Sequence, residues 1–173
     1  MKVYIKTYGC QANINDSEHL AGILKLEDFE IVDSEENADA IIVNSCSVKN
    51  KTQSKIFHYI NQNIGKRKIF VGGCLTKTID LRKKFPELKG IFDTNSLTRV
   101  PEILKSPRDI FSDKKENRIS LPIVRNNKNI SIISIGEGCL NSCTFCATKL
   151  ARGVLKSYRI GDIKRELEKS IND

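Results

Sequence analysis

The sequence predicts an α/β chain: a doubly wound parallel sheet over about the first hundred residues, then the first strand and helix of a second unit. Three observations predict it. Short apolar runs alternate with stretches of helical periodicity as far as residue 104. Two of those runs, Ala40–Val43 and Lys68–Val71, are almost continuously apolar, as strands buried on both faces are. Three runs lead straight into a cysteine, through Tyr8-Gly9-Cys10, Asn44-Ser45-Cys46 and Gly72-Gly73-Cys74.

Taken in order, Lys2–Thr7 reads as the first strand. Asn15 offers a helix N-cap with Glu18 three residues on, and Leu20, Ile23 and Leu24 give that helix an apolar side. Phe29–Val32 is a short second strand and Ala40–Val43 the third. Ile56, Phe57, Ile60 and Ile64 recur at helical spacing. Lys68–Val71 is the fourth strand, followed by a polar helix to about Phe85, where Pro86 stops it. Ile91-Phe92 makes the fifth strand, and Ser96 caps a last helix with Pro101 in its first turns. Strands alternating with helices imply right-handed crossovers and a flavodoxin-like sheet of order 2-1-3-4-5. From Lys105 to Asn129 the pattern gives way to Pro, Asn, Asp and Lys, a linker with an edge strand at Ile119–Val124. Ile130–Ile135 then reads as a strand opening a second domain, with a cysteine loop and a helix from about Gly161. The expected division is thus 1–104, a linker 105–129, and a truncated second domain 130–173, since one strand and one helix cannot bury their own apolar faces.

Composition narrows the function classes. Hydrophobic residues make up 39% and charged residues 29%, the balance of a folded, water-soluble chain. No apolar run approaches the ~20 residues of a membrane span, and the opening MKVYIKTYGC lacks a signal peptide's apolar core, so a cytoplasmic protein with no membrane partner is expected. Lys and Arg outnumber Asp and Glu by 29 to 21. The excess gathers in Lys149, Arg152, Lys156 and Arg159, and in Lys49, Lys51, Lys55, Lys66, Arg67 and Lys68. Both zones follow cysteines, so a site at those cysteines is expected to be rimmed with positive charge suited to a phosphate-rich partner.

The six cysteines carry the chemistry. Disulfides are a poor default in such a chain. Cys139-x-x-x-Cys143-x-x-Cys146 puts three thiolates on one short loop, enough for three irons of a four-iron cluster, leaving the fourth iron free to chelate a substrate. A structural zinc site would need a fourth ligand nearby, and His19 and His58 are distant in sequence. Cys10, Cys46 and Cys74 form a second set. In a 2-1-3-4-5 sheet their strands are neighbours, so the three thiols meet at one carboxyl edge, beside helix N-termini that favour thiolate. Single cysteines are often small buried hydrophobes, but three in the same topological position point to a second cluster with an open iron.

The loop Gly138-Cys139-Leu140-Asn141-Ser142-Cys143-Thr144-Phe145-Cys146 resembles the cluster loop of radical S-adenosylmethionine enzymes, the aromatic residue before the third cysteine included. With Tyr8-Gly9-Cys10-x-x-Asn13, Asp16-Ser17-Glu18, Asn44-Ser45-Cys46, Gly72-Gly73-Cys74 and Arg152-Gly153, the whole chain resembles the radical S-adenosylmethionine methylthiotransferases. Asn44–Asn50 and Ala147–Gly153 are similar to the archaeal and eukaryotic branch, which modifies N6-threonylcarbamoyladenosine at position 37 of tRNA.

The resemblance implies two [4Fe-4S] clusters, one on Cys10, Cys46 and Cys74 and one on Cys139, Cys143 and Cys146, with S-adenosyl-L-methionine bound at the second. It implies cleavage to a 5′-deoxyadenosyl radical, hydrogen removal from C2 of the adenine, and methylthiolation there. The implied partners are the tRNA anticodon loop and an external electron donor. The second domain then begins a partial TIM-type barrel, whose remainder, with a C-terminal RNA-binding barrel, is missing, so this chain alone is expected to be inactive. Phe145 packs near bound S-adenosylmethionine or fills the loop core. Asn13, Asp16, Ser17 and Glu18 match family positions and also suit capping of the first helix. Rival readings are a methylthiotransferase acting on isopentenyladenosine-37 tRNA or on a ribosomal protein aspartate, and a non-catalytic metal-stabilised RNA-binding protein.

Overall fold

The computed structural model describes residues 1–47 and 50–172. β1 (Lys2–Thr7), β2 (Glu30–Ile31), β3 (Ala40–Ser45), β4 (Lys68–Gly73) and β5 (Gly90–Ile91) form one sheet of order β2-β1-β3-β4-β5. Every pairing in it is parallel. This is the expected doubly wound α/β order, and its cause is visible in the alternation of side chains. Val3, Ile42 and Phe70 face one way, onto α1 (Gln11–Leu26) and onto Val100, Ile103 and Leu104. Ile41, Val43, Ile69 and Val71 face the other way, onto Ile56 and Ile60 of α2 (Asn50–Asn63) and onto Leu75 and Phe85. Two apolar layers therefore sandwich a sheet whose central strand is buried throughout.

Several expected elements differ. The helix after the first strand begins at Gln11 with Cys10 as its N-cap residue, so Asn15 lies inside it. The polar helix after Cys74 is a 3-10 turn, Cys74–Lys77, followed by the short α3 (Leu81–Lys84), which Asp80 caps by accepting from the Lys83 amide. Ser96 precedes another 3-10 turn, Leu97–Arg99, that runs into α4 (Val100–Lys105) with Pro101 near its start.

Neither Ile119–Val124 nor Ile130–Ile135 forms a strand. A 3-10 turn at Arg118–Ser120 begins a segment that lies along α1 instead. The Val124 amide donates to the Glu18 carbonyl (3.0 Å), the Asn126 amide to Glu18 Oε1 (3.0 Å), and Asn15 Nδ2 to the Ile132 carbonyl (3.0 Å). A β-carbon on Gly22 would lie 2.5 Å from the Pro122 backbone, so glycine is what lets the segment approach. Backbone groups that a sheet would satisfy are satisfied here by helix carbonyls and side chains, and α1 is covered on its outer side.

Beyond it, β6 (Gly136–Glu137) pairs antiparallel with β7 (Lys156–Ser157), enclosing the second cysteine loop and α5 (Ala147–Arg152). α6 (Ile160–Asn172) follows. Ile135, Leu140, Leu150, Val154 and Ile160 are exposed there. Among the described residues no helix is long and apolar enough to cross a membrane.

Candidate cluster sites and the ion network between them

β1, β3 and β4 end side by side, and Cys10, Cys46 and Cys74 follow them within three residues. The three cysteines line one cavity of about 220 Å³. Two glycines make the convergence possible. Gly9 (φ +127°) lies where a β-carbon would come within 2.9 Å of Cys46 Cβ. Gly73 (φ +92°) lies where one would come within 2.4 Å of Asn44 Oδ1 and of the Ser45 carbonyl.

Asn13, on the first turn of α1, ties the edge together. Its Oδ1 accepts from Cys10 Sγ at 3.6 Å and from Cys74 Sγ at 3.9 Å, so those two sulfurs are no further apart than the sum, 7.5 Å. That is inside the ~10 Å beyond which one small cluster could not bridge them. Asn13 Nδ2 donates to the Ser45 carbonyl next to Cys46 (2.9 Å). Among the described residues, no group of three His, Cys, Asp or Glu closes round a single metal ion. An all-sulfur set spread around a cavity instead fits a wider iron–sulfur cube, with each loop giving one thiolate. Cys10 is exposed while Cys46 and Cys74 are buried. Burial pushes the Cys74 thiol above its ordinary value, and Arg152 beside it works in the other direction.

Asp16, Arg118, Glu137 and Arg152 form a buried ion network over this cavity. Arg152 Nη2 donates to Asp16 Oδ2 at 2.6 Å, and Arg118 Nε lies 3.4 Å from Asp16 Oδ1. Arg118 also pairs with Glu137, whose other oxygen accepts from Tyr158 Oη at 2.6 Å. Burial works to raise the Asp16 pKa, but Arg152 and then Arg118 overcome it and hold the carboxyl below its ordinary value. Asp16 and Ser17 therefore do not cap α1, and neither does Asn13. Ser17 Oγ accepts from Thr7 Oγ1 and Asn44 Nδ2, both at 2.8 Å, and Glu18 takes the Asn126 amide.

The second set sits on the loop between β6 and α5. The Cys139 amide donates to the Gly153 carbonyl and the Cys146 amide to the Cys143 carbonyl, both at 3.1 Å. Lys149 Nζ fastens the loop by donating to the Leu140 carbonyl (3.2 Å) and Ser142 Oγ (3.0 Å). Cys146 is held below its ordinary pKa, first by a hydrogen bond from the Lys149 amide and then, against slight burial, by the Thr148 amide. Three thiols on one loop, one of them favoured as thiolate, again fit an iron–sulfur group. Phe145 is 89% exposed, so it does not fill the loop core.

The expected basic rim is only partly there. Arg152 is buried in the ion network rather than on a rim. Lys66, Arg67 and Lys68 lie at the opposite end of β4 from Cys74, because a six-residue strand carries the chain about 20 Å. Lys51 and Lys55 on α2 and Arg159 ahead of α6 remain exposed on the surface. Lys49, with Val48 of the same motif, lies outside the described residues. Sequence reasoning missed Arg118 and Glu137, which carry no local pattern. It also gave no partner to Arg152 or Asp16, although both stood in the quoted motifs.

The model of the family described as Uncharacterized protein family UPF0004 matches residues 2–93. A protein of Sulfurihydrogenibium sp. named tRNA-2-methylthio-N(6)-dimethylallyladenosine synthase is 35% identical, over 100% of this chain and 44% of its own length. One of Pyrococcus horikoshii, named "Probable threonylcarbamoyladenosine tRNA methylthiotransferase", is 37% identical over 91% of this chain and 39% of its own. The human threonylcarbamoyladenosine tRNA methylthiotransferase is 32% identical over 99% of this chain and 32% of its own. The chain thus spans less than half the length of the curated relatives it matches.

Proposed function

The chain belongs to Uncharacterized protein family UPF0004, and from that premise we propose that it is the N-terminal part of a radical S-adenosylmethionine methylthiotransferase acting on tRNA. The observation that carries the reading is the meeting of Cys10, Cys46 and Cys74 in one cavity, roofed by the helix that follows Cys146. Each set of three thiolates would hold a [4Fe-4S] cluster and leave one iron open. The clusters and S-adenosylmethionine together supply one-electron chemistry, sulfur and a methyl group to an aromatic C–H that acid–base groups cannot open.

The chain's own residues do the holding. Asn13 holds the Cys10 and Cys74 sulfurs at the cavity, and the Arg152–Asp16 pair lines its roof. Phe145, exposed beside Cys146, is free to pack on the S-adenosylmethionine held there. Lys51, Lys55 and Arg159 offer exposed charge to the phosphates of an anticodon loop. The remaining radical domain, an RNA-binding barrel and an external electron donor complete the enzyme, in the cytoplasm with its tRNA.

The substrate we propose is N6-threonylcarbamoyladenosine at position 37, methylthiolated at C2. Asn44–Asn50 and Ala147–Gly153 resemble that branch, and relatives with that name match at 32–37% identity. A second reading, dimethylallyladenosine, is favoured by the relative that covers the whole chain at 35%. Mass spectrometry of tRNA nucleosides from cells lacking the gene separates the two. The first reading expects loss of the 2-methylthio form of threonylcarbamoyladenosine. Loss confined to dimethylallyladenosine selects the second, and unchanged tRNA removes both and points to a protein substrate.

A further inference from the structure

We propose that Arg152 is a positioning residue that joins the two cysteine sets, seating Cys74 from the helix that starts at Cys146. Arg152 is the last residue of α5, its guanidinium donates to Asp16 Oδ2 at 2.6 Å, and α5 packs on the 3-10 turn that begins at Cys74. Arg152 is only 7% exposed, and it lines the same cavity as Cys10, Cys46 and Cys74. An arginine fork has the donors to serve a carboxylate and a sulfur together, which a single ammonium group does less well.

The connection continues to the second set without a gap. Gly153, next in the chain, has φ +72° and turns its carbonyl to accept from the Cys139 amide at 3.1 Å. Gly138 packs so closely on this turn that a β-carbon there would lie 2.3 Å from the Val154 carbonyl. Cys146 begins α5 and Arg152 ends it. Both ends of the second loop are therefore fixed to the residue that shares the cavity of Cys74. The end of α5 is pinned a second time, by Thr94 Oγ1 donating to the Ala151 carbonyl at 2.7 Å. That second pin holds the helix when the guanidinium is removed, so the two effects can be separated.

The inference rests on the proposed function only in taking Cys74 as an iron ligand. The contact and its test need neither iron nor tRNA, so failure of one leaves the other standing. The test labels the metal-free chain with N-ethylmaleimide under native conditions and follows each cysteine by peptide mass spectrometry. Labelling of a buried thiol follows local opening. In Arg152→Met, Cys74 is expected to label on the order of tenfold faster, a change of about 1.4 kcal/mol in opening, while Cys46 stays within about twofold. Hydrogen exchange at the Cys139 amide is expected to speed up in the same variant. Arg152→Lys keeps the charge and should show smaller rises at both Cys74 and the Cys139 amide, and it carries the test if the methionine variant does not fold. Unchanged Cys74 labelling overturns the proposal, as does an equal rise at Cys46 and Cys74 or an unaltered Cys139 amide.

Discussion

Asn13 and Asn44 exchange their amides across the sheet edge: Asn13 Nδ2 donates to Asn44 Oδ1 at 3.3 Å, and Asn44 Nδ2 to the Asn13 carbonyl at 2.8 Å. The pair locks the loop of Cys10 against the strand end that presents Cys46. Both residues are buried, so removing one leaves the other's polar groups without partners. Asn44→Ala is therefore expected to lower stability by about 1–3 kcal/mol, measured by urea unfolding of the metal-free chain.

Gly73 is the second device at this edge. Its φ of +92° disfavours any side chain, and a β-carbon would meet Asn44 Oδ1 and the Ser45 carbonyl at 2.4 Å. Gly73→Ala is expected to destabilise by about 1–3 kcal/mol and to move Cys74, which follows directly. The readouts are the unfolding midpoint and the Cys74 labelling rate, and both should change.

Asp16 gives the chain a defined acid sensitivity. Its folded pKa lies below the ordinary 3.8, so its contribution is complete above that value and is lost as pH falls through the lower, folded one. At neutral pH Asp16→Asn leaves Arg152 buried without a carboxylate, at a cost of about 3–5 kcal/mol. The stability gap between the two proteins should narrow as pH drops below 3.8, which unfolding curves from pH 7 to pH 3 measure.

The two cysteine sets should divide the labour in the full-length enzyme. Cys143→Ala should abolish 5′-deoxyadenosine formation, and Cys46→Ala should leave it intact while stopping methylthiolation of tRNA. The measurements are 5′-deoxyadenosine by chromatography and nucleosides by mass spectrometry. Equal loss of 5′-deoxyadenosine in both variants would contradict the division.

What was legible in the sequence was whatever periodicity records. Ala40–Val43 and Lys68–Val71 announce buried strands because a doubly covered sheet leaves no polar face. The cysteines follow strands by direct adjacency, so their convergence could be read from strand order alone. Ile130–Ile135 looked like a strand because the same residue types also suit an extended segment. Its fate as a segment lying along α1 depends on Asn15, more than a hundred positions away. The Asp16–Arg152 pair was hidden for the same reason. A mid-helix carboxylate reads as surface or cap until the arginine that buries it is known, and that residue is 136 positions on.

Two separate three-thiolate sites, Cys10/Cys46/Cys74 and Cys139/Cys143/Cys146, are what we propose for this chain. The direct measurement is iron and acid-labile sulfide per chain after anaerobic reconstitution, for the parent and for two triple variants. The parent should bind about eight irons, and replacing Cys10, Cys46 and Cys74 together, or Cys139, Cys143 and Cys146 together, should leave about four. Zinc in place of iron, or a parent that never exceeds about four irons with either set removed at no cost, would contradict the claim.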